Sequence, residues 1–266
     1  MNNDHLEIAR FLAKCIGCGL GGALLCLWLR RLIPGGLKEG AQAVAGIAVS
    51  FVAVLFSFFL GFTIVNLWQT YDAADHVVHS EVNELRSLYR LTGKDHEMGA
   101  VIMDYAQKVI SVEWDNMKNG RVDEKTGEVM FGRELDDMRS ATDKLWATVL
   151  QRINAGAAPS PTAGEMVSSV NRFNKFRRER LSLAGPSLHG LLGVTIYMLA
   201  AFTVGGFFFL AGENRPIQFL IDFVVIASVA LSLFLIDNLD APFSGSGFTV
   251  SDEPFRLLIE QVSKGN

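Results

Sequence analysis

The sequence predicts an all-α, polytopic membrane protein, with four transmembrane helices and a helical bundle inserted between spans two and three. Two observations predict it. All 24 basic and 28 acidic side chains fall outside four stretches, residues 15–29, 41–68, 181–212 and 223–236. A bilayer needs about 20 predominantly apolar residues per helix, and a soluble helix of that length would show a charged face. Residues 69–184 carry their apolar side chains at helical spacing instead, with charges between. The overall 20 % charge is near the soluble average, so the distribution decides the class. A soluble globular enzyme is excluded. The net charge of −4 argues against nucleic acid as a partner.

Span one is expected from about Phe11 to Leu32, with Lys14 and Arg30 near its edges. Gly17, Gly19 and Gly22 match a dinucleotide fingerprint, but that motif works only between a strand and a helix. A helix-packing role is read instead, with Gly17 and Gly21 as a GxxxG pair. Cys15, Cys18 and Cys26 are an odd set within this apolar stretch, read as small packing residues rather than a disulfide framework. Asp4 and Glu7 spoil the basic leader of a signal peptide, so the span is expected to stay uncleaved.

Span two runs from near Ala41 to Trp68. Its periodicity continues through Tyr71, Ala74, Val78, Val82, Leu85 and Tyr89, and no Gly or Pro follows Gly61 until Gly93. One helix of roughly 75 Å is predicted, about half of it outside the membrane. Met98, Val101, Ile102, Tyr105, Val109 and Val112 mark the next helix. Leu135, Met138, Thr142, Leu145, Val149 and Ile153 mark another. Asn119-Gly120 and Lys125-Thr126-Gly127 read as a loop or small hairpin between them. A flexible stretch from Ala155 to Gly164 leads to a last extramembrane helix at about 165–184.

Spans three and four are expected at about 187–211 and 217–236, joined by Gly212-Glu-Asn-Arg-Pro216, with Pro216 in the first turn of the fourth. Asp222, near an interface, reads as a snorkelling carboxylate or an ion contact. The domain reading is residues 1–68 for the N-terminal tail and spans one and two, 69–184 for a cytoplasmic helical domain, 185–240 for spans three and four, and 241–266 for a cytoplasmic tail. Ten basic residues lie close to the spans on the side holding the termini and 69–184, against Arg30, Arg31, Lys38 and Arg215 opposite. Both termini and the helical domain are therefore expected inside.

No catalytic constellation, cofactor site or metal site is predicted. Asp72, Asp75, His76 and His79 share one helical face; the geometry is one a divalent metal can use, but the preferred reading is the wet face of an amphipathic helix. Arg177, Arg178 and Arg180, before span three, read either as a lipid anchor or as a basic vestibule that concentrates anions. In span two, Ala43, Gly46, Ser50, Ala53, Ser57 and Gly61 form a small-residue stripe. That stripe is either a tight helix contact or the lining of an axial pore in a homo-oligomer, with Phe58 and Phe62 as a hydrophobic neck. Asp237 and Asp240, three apart at the membrane exit before Pro242, form an acidic corner: a hydrogen-bonded hinge or a cation site.

The order of short motifs resembles a known family. Leu60-Gly61-Phe62 precedes Trp68, Tyr71, Ala74, Val78, Glu81 and Leu85-x-x-Leu-Tyr89. Arg177-Arg178-x-Arg180-Leu181 then precedes Pro186, and Leu239-Asp240-x-Pro242-Phe243-x-Gly245 precedes Val250 and Pro254. Over about residues 40–258 this is similar to the bestrophin-like family of mostly bacterial membrane proteins. The chain departs from it at Ala241, where the family has Arg, and in lacking the dense acidic cluster of a bestrophin calcium clasp. The resemblance implies a four-span subunit of a homo-oligomer that passes anions, with the phenylalanines of span two as neck candidates, in a bacterial inner membrane. The expected function is a passive channel, more readily for anions. The alternative is a non-conducting scaffold whose helical domain binds a partner. An enzyme ranks third, with only Asp222 and His189 available inside the spans.

Overall fold

The structure, a computed structural model, describes residues 2–32, 39–120, 132–156, 159–188, 190–210, 214–244 and 249–265. Every regular element among them is helical: α1 (Asn2–Leu32), α2 (Glu39–Leu91), α3 (His96–Lys108), α4 (Trp114–Lys118), α5 (Gly132–Asn154), α6 (Ser160–Ser182), α7 (Gly190–Phe209), α8 (Arg215–Asp240) and α9 (Glu253–Gly265). A π-helical turn, Val109–Glu113, joins α3 to α4. Much of the hairpin region after Gly120, part of the Gly212–Pro216 link, and His189 lie outside the described residues.

The chain divides into two compact units. One holds Met1–Trp68 and Ser187–Asp240; the other holds Gln69–Pro186, Ala241–Gly245 and Thr249–Asn266. Four helices are long and apolar enough to cross a membrane, at Ala9–Arg31, Gly40–Leu91, Gly190–Phe209 and Arg215–Asp240. The protein is a four-span, all-helical membrane protein.

In the membrane unit α1 and α8 run antiparallel. The Phe11 and Phe234 rings meet edge to face at 6.4 Å, and Arg30 reaches Asp222 at the opposite end of the pair. Between these contacts, a Cβ added at Gly19 would stand 2.9 Å from Ala227 Cβ, and one at Gly22 would stand 2.9 Å from Ile226. Buried Cys15 and Ala23 fall on the same face of α1. The Gly17–Gly21 pair does not make this contact: among the described residues nothing lies within 4 Å of a Cβ added at either. Both faces of α1 carry small residues, and the one that meets α8 lies roughly opposite Gly17 and Gly21. Gly19→Ala is expected to lower thermal stability by about 1–3 kcal/mol through overpacking. Gly17→Ala should instead be neutral or slightly stabilising, as Ala replaces Gly in an open helical position. Thermal unfolding of the two variants in detergent separates these outcomes.

The second unit has one core. Ala74, Val78, Val82, Leu85 and Leu88 of α2 supply a fully buried stripe. It joins Met98, Ile102 and Tyr105 of α3, Met138, Leu145 and Val149 of α5, and Val170 and Phe173 of α6 in one cluster. Asp95 starts α3 by accepting from the Glu97 and Met98 amides at 3.0 and 3.1 Å, which satisfies donors a helix start leaves open. Phe243, Phe255, Leu258 and Val262 complete the core. Helix α9, within the residues 241–266 expected as a tail, is thus part of this unit.

Candidate functional site

Within the membrane unit, α2 buries one face and leaves the opposite one bare. Phe56, Thr63 and Leu67 are buried. Ile47, Phe51, Val54, Phe58, Phe62 and Val65, spaced three or four apart, are 74, 65, 67, 70, 62 and 58 % exposed. The small-residue stripe flanks this apolar face. Ser50 and Ser57 are exposed and donate to the carbonyls of Gly46 and Ala53, four residues back, at 2.8 and 2.9 Å. Gly61 has open space where a Cβ would sit, and Gly46 is approached only by Leu210 at 4.0 Å. Among the described residues no helix packs tightly against Gly46 or Gly61 of the stripe. The tight approach to α2 is made instead by Gly206 of α7, where an added Cβ would lie 2.5 Å from Val49 Cγ2.

At the far end of α8, the two corner aspartates are already engaged. Asp240 Oδ1 accepts from the backbone amides of Ser187 and Leu188 at 2.9 and 2.6 Å, and from the Ser187 hydroxyl at 3.3 Å. Asp237 Oδ1 accepts from the Tyr197 hydroxyl at 2.6 Å. One carboxylate thus ties the chain entering α7 to the end of α8, and the other ties α7 to α8 a turn earlier. Among the described residues no group of three or more His, Cys, Asp or Glu side chains is placed to hold a metal ion. Asp75 and His79 form a loose pair at 3.9 Å, each about half exposed.

The basic run is where the structure departs most from expectation. Arg178 is exposed, but Arg180 is fully buried in the second unit and cannot serve as a vestibule or lipid anchor. Its Nε donates to Glu81 Oε2 at 2.7 Å and its Nη2 to Glu113 Oε2 at 2.6 Å, with both acids at 0 % exposure. Arg177, largely buried, also pairs with Glu113. Tyr105 donates its hydroxyl to Glu81 Oε1 at 2.5 Å. The rings of Trp114 and Phe255 lie 5.9 and 5.7 Å from the Arg180 guanidinium carbon. Two carboxylates and two guanidinium groups balance, and a planar five-donor fork can bridge two acids as an ammonium cannot. Val109 and Glu113, four residues apart, are both buried at the π turn.

Burial pushes the Glu113 carboxyl up, but Arg180 and Arg177 outweigh it and hold the group below the usual carboxylate range. Burial, then Glu81 and Glu113, drive the Tyr105 phenol well above its ordinary value, so it stays a neutral donor. A carboxyl whose folded pKa is depressed stabilises the fold above its unfolded value, and that contribution is lost as pH falls through the folded value. The thermal midpoint of the chain should therefore drop on acidification below about pH 4, near the unfolded carboxylate value. Glu113→Gln should lower the midpoint at neutral pH and flatten that acid limb. An unchanged slope would show that Glu113 does not couple to folding.

A second buried pair joins three helices of the membrane unit. Arg30 donates to Asp222 at 2.7 and 3.2 Å and to the Phe208 carbonyl at 3.2 and 3.0 Å, and Gln218 donates to Asp222 at 3.0 Å. Asp222 is buried with a partner, which replaces the snorkelling reading.

Residues 17–255 match the model of the Bestrophin-like domain. The chain belongs to the bestrophin-like family. Its fold is shared with solved structures at low identity. A bacterial bestrophin homologue from Klebsiella pneumoniae, carrying an Asp-to-Ala mutation, matches with a TM-score of 0.62 at 15 % identity, over 97 % of this chain and 98 % of that one. A Trp-to-Ala mutant of the Klebsiella pneumoniae homologue matches with a TM-score of 0.59 at 14 % identity, over 96 % and 94 %. A crystal structure described as a membrane protein gives a TM-score of 0.60 at 12 % identity, over 96 % of each chain. No curated protein matches.

In this bestrophin-like chain the residues that sequence reasoning missed are Glu81, Tyr105 and Glu113. Glu81 lies inside the Val78–Val82–Leu85 stripe, and a charge on an otherwise apolar helical face signals a buried partner. Glu113 carries the same mark, four residues after Val109 of the α3 stripe.

Proposed function

We propose that this bestrophin-like chain forms a homo-oligomeric passive channel for small inorganic anions in the bacterial inner membrane. The observation that carries the proposal is the apolar face of α2, with Phe58 and Phe62 exposed on it and no helix among the described residues covering them. In a homo-oligomer built around α2, that face and the flanking stripe of Gly46, Ser50, Ser57 and Gly61 line a narrow axis. Phe58 and Phe62 are the neck, a constriction that gates by dewetting and needs no ring of charge. The family membership supports a shared architecture; conduction is the step taken on the α2 face. The helical region 69–184 and both termini lie in the cytoplasm by the positive-inside rule. Pairing of Arg30 with Asp222 weakens the basic signal that opposes this orientation.

The proposal is tested by the detergent-solubilised particle together with halide efflux from reconstituted vesicles. A symmetric oligomer that releases chloride supports it. A monomer, or an oligomer that releases nothing, contradicts it, and the latter result returns the chain to the scaffold reading.

A further inference from the structure

The end of the membrane unit that holds Arg30 is organised around one guanidinium. Arg30 lies in the last turn of α1. Its Nη1 donates to Asp222 Oδ2 at 2.7 Å, and its Nη2 to Asp222 Oδ1 at 3.2 Å. Nε and Nη2 also reach the Phe208 carbonyl at 3.2 and 3.0 Å, and Nη2 stands 3.5 Å from the Phe207 carbonyl. The guanidinium carbon is 5.1 Å from the centroid of the Phe208 ring. The Arg30 side chain is 16 % exposed and that of Asp222 is 2 % exposed.

Phe207 and Phe208 are in the last turn of α7, whose carbonyls carry the negative end of the helix dipole. The Phe207 carbonyl accepts from the Leu210 amide at 3.2 Å, and the Phe208 carbonyl accepts from Arg30, whose positive charge suits that end of the helix. The same turn is where α2 rests. Gly206, one residue earlier, is pressed against Val49, and Leu210 Cδ2 lies 4.0 Å from the place of a Gly46 Cβ. Gly46 and Val49 begin the stretch of α2 that carries the stripe and the neck. The last turn of α7 is thus held by α1 on one side and supports α2 on the other.

We propose that Arg30 is a positioning residue: it fixes the last turn of α7 and, through it, sets the placement of α2 at the entrance of the pore. The pore half of this statement rests on the channel reading; the placement half does not. Asp222 supplies the counter-charge that lets the guanidinium stay at this depth, since an unpaired charge in a spanning helix is costly.

The test uses the full chain with Cys15, Cys18 and Cys26 changed to Ala, carrying Gly46→Cys and Leu210→Cys. A short bifunctional thiol reagent reports their proximity in native membranes. Arg30→Gln combined with Asp222→Asn leaves no unpaired buried charge, and should slow crosslinking several-fold. Arg30→Lys keeps a cation beside Asp222 but lacks the fork that also spans the α7 carbonyls; it should slow crosslinking in a chain that still accumulates at the parental level. A rate unchanged in both variants overturns the proposal, and Arg30→Lys alone decides it if the double variant fails to accumulate. Planar-bilayer recordings of Arg30→Lys should show altered conductance or open fraction. Slowed crosslinking in a protein that never conducts, wild type included, refutes the channel reading and leaves the positioning role standing.

Discussion

Arg180→Leu is expected to be the most destabilising single substitution in the helical unit. Removing one member of a buried, hydrogen-bonded charge cluster costs about 3–5 kcal/mol, because its partners stay buried without compensation. Here two carboxylates are stranded at once, since Arg180 bridges Glu81 and Glu113 at 2.7 and 2.6 Å with all three side chains at 0 % exposure. Arg177 still pairs with Glu113, and Tyr105 still donates to Glu81, so Glu81 suffers more. A loss of that size corresponds to a fall of about 10 °C or more in thermal midpoint for a chain of this length. Heating in detergent followed by size-exclusion chromatography measures it. Arg180→Lys should fall between, because one ammonium cannot present a fork to both acids. The triple change Glu81→Gln, Arg180→Met, Glu113→Gln should recover much of the loss, since neutral replacement of a whole buried cluster is often tolerated. A midpoint within a few degrees of wild type for Arg180→Leu would show that the cluster does not anchor the unit.

Phe62→Ala and Phe58→Ala are expected to raise single-channel conductance several-fold and to weaken any closure that depends on drying of the neck. Both rings are exposed in the subunit, at 62 and 70 %, so their removal costs little intrachain packing. A hydrophobic constriction excludes water by its radius and its apolar wall; shortening the side chain to a methyl relaxes both. Phe56→Ala is the control. That ring is 6 % exposed on the packed face of α2, and its loss should cost about 3–5 kcal/mol of stability with no widening of the axis. If Phe58→Ala and Phe62→Ala leave conductance untouched while Phe56→Ala alters it, α2 presents a different face to the ion path.

The four spans were legible because bilayer burial removes charge from long stretches, a signal needing no partner. The helical stripes of α2, α3 and α5 were legible for a related reason: Val78, Val82, Leu85, Ile102 and Leu145 are buried by one core and recur at its period. What could not be read was pairing. Arg180 sits in a run of like charge that resembles a solvated anchor, yet its partners Glu81 and Glu113 are 99 and 67 residues away. Arg30 and Asp222 are separated by 192 residues, and each alone looks like an edge residue. On α1, spacing identifies small residues fit for helix packing, Gly17, Gly19, Gly21 and Gly22, but not that Gly19 and Gly22 are the ones that meet α8. Phe255, Leu258 and Val262 have helical spacing as well, in a stretch expected only as a tail after Pro242. For Gly46, Ser50, Ser57, Gly61, Phe58 and Phe62 the sequence orders side chains around α2; in the proposed oligomer, neighbouring subunits supply what stands opposite them.

The central claim is that this assembly conducts anions. Purified wild-type protein in a planar bilayer, with potassium chloride at unequal concentrations on the two sides, tests it most directly. Discrete currents that reverse near the chloride equilibrium potential are the predicted result. Bilayers that stay silent across calcium, voltage and pH would contradict it.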